Sequence, residues 1–229
     1  NAQLAVGGSA AMVYLPDEGE FLAKAGGATY LNMGTLLPVY EDTLPQTAKT
    51  LHEAGKPWVL DPVAIGIGRM RTELLQQLKP YRPSIIRGNA SEVIALAALW
   101  EVQENAGAGG TRGVDSTDSV ESARSAAAAL ARWTGGAVAV SGKTDLVTDG
   151  KVVALSHGGS HFMEKVTGCG CSLGGVAAVY AAGGPPFIAA PTAKAGFKPA
   201  GRPGRKEGEG GGGLPGAGFG GGYPGPPGR

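Results

Sequence analysis

The chain has little cysteine: Cys169 and Cys171 are the only two. A disulfide between positions i and i+2 is geometrically poor, and two thiols cannot complete a four-ligand zinc site. No disulfide framework is expected, which points to a reducing, cytoplasmic setting. Long apolar runs are also missing. The apolar stretches are short and broken by glycine, too short to cross a bilayer, so no membrane partner is expected. Neither sign of charge is in excess: 20 basic and 19 acidic side chains leave a net +1. That balance argues against bulk electrostatic binding to nucleic acid or to an anionic lipid surface. The three histidines, His52, His157 and His161, lack metal-ligand spacing. The chain does not open on a secretory signal pattern. Asn1-Ala2-Gln3-Leu4-Ala5-Val6 reads instead as the middle of a helix, which implies a missing N-terminal segment.

What is present suffices for one sizeable domain with a full core, since the chain has 229 residues. Composition changes near Gly183. From there to Arg229 glycine, proline and arginine dominate, as in Gly210–Gly213 and Tyr223-Pro224-Gly225-Pro226-Pro227. Few aliphatic side chains remain to bury, so 183–229 is expected to be a disordered tail beside a folded domain over 1–182. An out-of-frame translation of GC-rich DNA would give the same composition. Aromatic residues are too sparse in this tail to argue for RNA binding.

Within the domain, short apolar strands alternate with amphipathic helices. Strands are expected at Ala28–Met33, Trp58–Leu60, Ser84–Arg87 and Ala137–Val140. Helices are expected at Leu44–Ala54, Arg71–Leu78, Ala90–Trp100 and Ser119–Trp133. Leu146–Thr148 and Val152–Leu155 flank Asp149-Gly150, a hairpin turn signal. This order predicts an α/β fold with a mostly parallel central sheet covered by helices. In such sheets ligands bind beyond the carboxyl ends of the strands. The polar residues that end strands here are Asn32, Asp61, Arg87, Asn89 and Ser141, and they should converge on one edge.

The same edge should receive Val166-Thr167-Gly168-Cys169-Gly170-Cys171, which opens a helix of small apolar residues. Two glycines allow a tight turn and close approach of the backbone. The helix would aim unpaired N–H groups and its positive dipole end at an anion, such as a phosphoryl group in transfer. Cys171 on the first turn reads as a group near an acceptor hydroxyl that removes its proton, or as a small buried hydrophobe. Cys169 lines the turn. Thr167 and Ser141 can donate to phosphate, and Arg87 offers a guanidinium fork for phosphate oxygens. Asn89 and Glu92 share a first helical turn. They read either as part of a site for hydrated Mg²⁺ or as an N-cap completed into a capping box. Asp61 is either a second metal or phosphate-network carboxylate or an ordinary turn residue before Pro62.

Taken in order, these segments resemble the hydroxyethylthiazole kinase family of the ribokinase-like superfamily. The resemblance runs from Asn1 to about Ala182. It is carried by Asn1–Met12, Leu31-Asn32-Met33-Gly34-Thr35-Leu36, Leu60-Asp61-Pro62-Val63 and Ile86–Glu92. Gly113-Val114-Asp115-Ser116, Val140-Ser141-Gly142, Val147-Thr148-Asp149-Gly150 and Val166–Cys171 complete it. Each motif is weak alone; the ordered set is specific.

The resemblance implies a ribokinase-like sheet that is incomplete at both ends. It implies phosphorylation of the alcohol of 4-methyl-5-(2-hydroxyethyl)thiazole, in thiamine salvage, with ATP and Mg²⁺. Met12 would contact the thiazole, Arg87 and Ser141 would contact ATP, and Gly168 would belong to the substrate-side anion hole. Cys171 takes the position where many relatives in the superfamily carry a catalytic aspartate. Asp61 and Glu92 fall in the acidic metal and phosphate network. A homotrimer is implied, with thiazole pockets at subunit boundaries. Ala10 replaces the family's usual Pro, and Cys169 its usual Thr. The family's first strand and closing helices are not represented. The alternatives are a catalytically impaired fragment or a related hydroxymethylpyrimidine-type kinase. Ser9-Ala10-Ala11-Met12 and the Arg87–Glu92 run speak against the latter.

Overall fold

The structure, a computed structural model, describes residues 1–102, 120–158 and 166–197. In chain order the elements are α1 (Ala2–Ala5), α2 (Pro16–Ala25), β1 (Thr29–Asn32), α3 (Tyr40–Glu53), β2 (Trp58–Asp61) and α4 (Arg69–Leu78). After a 3₁₀ turn at Lys79–Tyr81 come β3 (Ile85–Asn89), α5 (Ala90–Leu99), α6 (Arg124–Thr134), β4 (Ala137–Ser141), β5 (Thr144–Thr148) and β6 (Val153–His157). The last two are α7 (Cys169–Ala181) and α8 (Pro186–Phe197).

The six strands form one sheet in the order β1-β2-β3-β4-β5-β6. The first four run parallel, and β4, β5 and β6 pair antiparallel. The Asp149-Gly150 turn joins β5 to β6 as the hairpin signal requires, with Gly150 at φ 90°. Asp149 caps this turn by accepting the N–H groups of Lys151 and Val152 at 2.8 and 2.7 Å.

Strand side chains alternate between the two faces, and each face has its own core. Leu31, Leu60, Ile86, Val138 and Val140 pack against apolar side chains of α3, α4, α5 and α6. Val59, Ile85, Ala137 and Ala139 pack on the other face against α7 and α8. The alternation continues to the carboxyl ends of the strands. Asn32 and Tyr30, Asp61 and Val59, Arg87 and Ile85, and Ser141 and Ala139 share the α7–α8 face in pairs.

Helix α2 has no counterpart in the sequence expectation, α6 starts at Arg124 and not at Ser119, and two more elements depart from it. The Leu44–Ala54 helix begins earlier, at Tyr40, and carries Pro45 inside it. More consequentially, Pro186–Phe197 is a helix, although a disordered tail was expected from Gly183. Glycine and proline dominate 183–229 as a whole, but its first part carries a local apolar stripe. Ala189, Ala190, Ala193 and Phe197 recur at helical spacing and are buried against the sheet. The rest of that expected tail, 198–229, lies outside the described residues, as do Gly113–Ser116 and Ser119.

Candidate active site

The parallel register sets up the site. Asn32 is level with Asp61, and Asn89 with Ser141. Val59 pairs with Ile85, so Asp61 and Arg87, two residues further along each strand, lie side by side. The Arg87 guanidinium reaches Asp61 Oδ2 through Nη1 at 3.1 Å and donates from Nη2 to Ser141 Oγ at 3.3 Å. Tyr30 donates its hydroxyl hydrogen to the same Asp61 oxygen at 2.8 Å, and Asn32 Nδ2 donates to the Tyr30 oxygen at 2.7 Å. Lys194, on α8, donates to Ser141 Oγ at 3.0 Å and to the Val140 carbonyl at 3.2 Å, and it pairs with Asp145 at 3.2 Å. A continuous polar chain therefore crosses the ends of β1, β2, β3 and β4 and ends on α8.

Asp61 is fully buried. Burial pushes its carboxyl above the usual range, against the opposing pull of Arg87 and of the Tyr30 hydrogen bond. Burial works against the Arg87 charge too, but Asp61, Glu92 and Tyr30 outweigh it and hold the guanidinium above its already high ordinary value. A guanidinium does not give up its proton in proteins, so the pair stands as an ion pair. Two of its atoms have no hydrogen-bond partner although buried: Asp61 Oδ1 and Arg87 Nε. Buried polar atoms are normally satisfied, so these two retain capacity for a water or another polar partner.

Helix α7 opens beside this chain. Its N-cap, Gly168, has φ 84°, a conformation that suits glycine. A Cβ on Gly170 would lie 2.7 Å from Arg87 Nη2, and one on Gly174 would run into the Tyr30 ring. The helix can lie this close only because both positions lack side chains. Thr167 and Gly168 are exposed at the turn, Cys169 is buried and Cys171 is partly exposed. Burial raises the Cys169 thiol, while Arg87 pulls it down. Cys169 therefore lines the turn as a neutral side chain.

Glu92 takes the structural role that the sequence left open. Its Oε2 accepts the Asn89 N–H at 2.8 Å while Asn89 Oδ1 accepts the Glu92 N–H at 2.9 Å, a complete capping box. Its Oε1 accepts the Ala64 N–H at 3.3 Å. Burial raises its carboxyl, with Asp61 adding to the rise and these hydrogen bonds opposing it. Among the described residues no cluster of three or more His, Cys, Asp or Glu side chains is placed to hold a metal.

Met12 is not brought to this chain of residues; it sits between α1 and α2 and is 82% exposed within the single chain. Tyr30, Lys194 and Asp145 belong to the network and escaped the sequence reading. Tyr30 had a signal, because it lies two residues before Asn32 on the same strand face. Lys194 had one as well, as a lysine beside alanines on a helical stripe.

A sequence profile of the hydroxyethylthiazole kinase family matches residues 1–213. The chain belongs to the hydroxyethylthiazole kinase family. It is 52% identical over 200 residues to a hydroxyethylthiazole kinase of Bifidobacterium adolescentis, covering 83% of this chain and 68% of that one. It is 42% identical over 180 residues to the hydroxyethylthiazole kinase of Leptospira interrogans, covering 79% and 65%. The chain thus spans about two thirds of the length of these relatives. Among solved structures, the hydroxyethylthiazole kinase protein from Pyrococcus horikoshii superposes with a TM-score of 0.74 at 27% identity, covering 87% of this chain and 72% of that one. A Staphylococcus aureus pyridoxal kinase in complex with ADP shares the fold, with a TM-score of 0.56 at 21% identity over 83% of this chain and 67% of that one. The fold is ribokinase-like, and the members of this family are kinases.

Proposed function

We propose that this chain transfers a phosphoryl group from ATP to the primary alcohol of 4-methyl-5-(2-hydroxyethyl)thiazole, a step of thiamine salvage in the cytoplasm. The observation that carries the reading is the Arg87–Ser141 pair beside the N-terminus of α7, in a chain of this family. Phosphoryl transfer requires mainly positioning and neutralisation of charge. Arg87 and Ser141 bind the nucleotide phosphates, helped by Thr167. The glycine turn at Gly168 and the first N–H groups of α7 stabilise charge on the group in transfer. Cys171 takes the proton of the attacking alcohol as the new oxygen–phosphorus bond forms and ADP leaves. Met12 contacts the thiazole.

The acidic residues fit a hydrated Mg²⁺ and not an all-protein cage. Asp61 keeps one carboxylate oxygen unpaired, and each Glu92 oxygen already accepts one backbone N–H. Mg²⁺ characteristically retains waters and leans on one or two carboxylates plus phosphates. When bound it would neutralise phosphate charge, with Asp61 and Glu92 as the protein groups that hold it.

A homotrimer with the thiazole at subunit boundaries accords with the exposed apolar side chains of Leu4, Met12, Leu15, Phe21 and Leu37. The decisive experiment incubates purified protein with ATP, Mg²⁺ and the thiazole alcohol. ADP release above the blank without thiazole is expected, and its absence would sink the reading. Replacing the thiazole with a hydroxymethylpyrimidine should give no competing turnover.

A further inference from the structure

Ser141 Oγ lies between two cations. Arg87 Nη2 donates to it at 3.3 Å and Lys194 Nζ at 3.0 Å. Neither group can accept a hydrogen bond, whereas a serine hydroxyl has two lone pairs and a single hydrogen. With both lone pairs taken up by charged donors, the hydroxyl hydrogen is left to donate. Charged donors also polarise the O–H bond and strengthen what it gives.

We propose that Lys194 is a positioning residue for the nucleotide: together with Arg87 it fixes Ser141 as a one-way donor to a phosphate oxygen. The inference rests on the reading of this site as a nucleotide site. Lys194 is suited to the task by its surroundings. Its side chain is 1% exposed, a rare state for lysine. Its ammonium addresses three oxygens: Ser141 Oγ, the Val140 carbonyl and Asp145 Oδ1. Asp145 balances the charge and accepts the Gly142 N–H at 3.0 Å, which fixes the turn that follows Ser141. Lys194 therefore acts through Ser141 and not as a free cation. Helix α8, which also packs its apolar side chains against α7 and β4, thereby becomes part of the nucleotide side of the enzyme.

The test is a double-mutant cycle read by calorimetric binding of ADP, with binding of the thiazole alcohol as control. Ser141→Ala and Lys194→Met should each weaken ADP about tenfold, the scale of one hydrogen bond involving a charged group. Thiazole binding should be unchanged. The double variant should bind ADP no more weakly than Ser141→Ala alone, because the proposal has Lys194 act on the nucleotide through Ser141. A purely structural staple would instead give losses that add, or no ADP effect from Lys194→Met; either result overturns the inference. Should Lys194→Met misfold by stranding Asp145, the same cycle is run on the Lys194→Met/Asp145→Asn background, with Asp145→Asn as its reference. If the unaltered protein binds no ADP, the nucleotide reading falls and this inference with it. ADP binding with additive losses rejects the inference alone.

Discussion

Arg87 is the residue on which the site turns, because one guanidinium links the buried carboxylate of Asp61 to the Ser141 hydroxyl. Replacing it with methionine would strand the buried Asp61 carboxyl without its cation. Such losses cost about 3–5 kcal/mol, so Arg87→Met should unfold at a clearly lower urea concentration even with no ligand present. Cys171 calls for a different readout. If it serves as proton acceptor, Cys171→Ala should lower kcat on the order of 10²-fold while ADP affinity, measured by calorimetry, stays unchanged. At this scale the meeting of Asp61, Arg87 and Ser141 was legible, whereas Met12 is not brought to them. Asp61, Arg87 and Ser141 stand out because polar residues that end apolar strands of a parallel sheet have one place to go. Glu92 was ambiguous, since the spacing that suits a metal site also suits a capping box. The signal at Lys194 is masked for a different reason: the surrounding segment is rich in glycine and proline overall, although locally its neighbours form an alanine stripe.

At the scale of elements, α7 is defined by what it lacks. Gly170 faces Arg87 and Gly174 faces the Tyr30 ring. Gly174→Ala should push α7 off β1, destabilising by roughly 1–3 kcal/mol as overpacking does, which thermal denaturation would record. Gly170→Ala should shift Arg87, and its mark should be weaker ADP binding more than lost stability. The β5–β6 hairpin supplies a test in pH. Two backbone N–H groups, those of Val152 and Lys151, hold the Asp149 carboxyl below its ordinary value. A carboxyl lowered in the folded state binds its proton less readily there than in the unfolded chain. Its stabilising contribution is thus present above the unfolded value and disappears as pH falls through the folded one. Asp149→Asn should remove that part of the acid dependence in pH-resolved denaturation. The hairpin could be read from Asp-Gly alone, because the turn chemistry is local. Helix α2 had weaker signals, and the early start of α3 lay hidden behind Pro45.

For the whole molecule, ligands that bind only the folded form must raise its melting temperature. ADP with Mg²⁺ and the thiazole alcohol should each do so, and a hundredfold excess over Kd is worth about 2.7 kcal/mol. Sedimentation should report a trimer if the exposed side chains around Phe21 and Met12 are covered by partner subunits. The layered α/β plan was legible because periodicity switches cleanly between strands and helices, whereas the placement of α8 depended on a stripe of alanines against β4. The consecutive strand order also has a consequence for synthesis. Each strand neighbours the one made just before it, so the sheet can grow pair by pair as the chain emerges, each parallel pair closing across its crossover. Helix α7 breaks that pattern by returning from late in the chain to lie over the first strands. The nascent protein can therefore own a sheet with Asp61 and Arg87 in place before α7 covers it. Binding competence should arrive as a separate, later event than folding of the sheet.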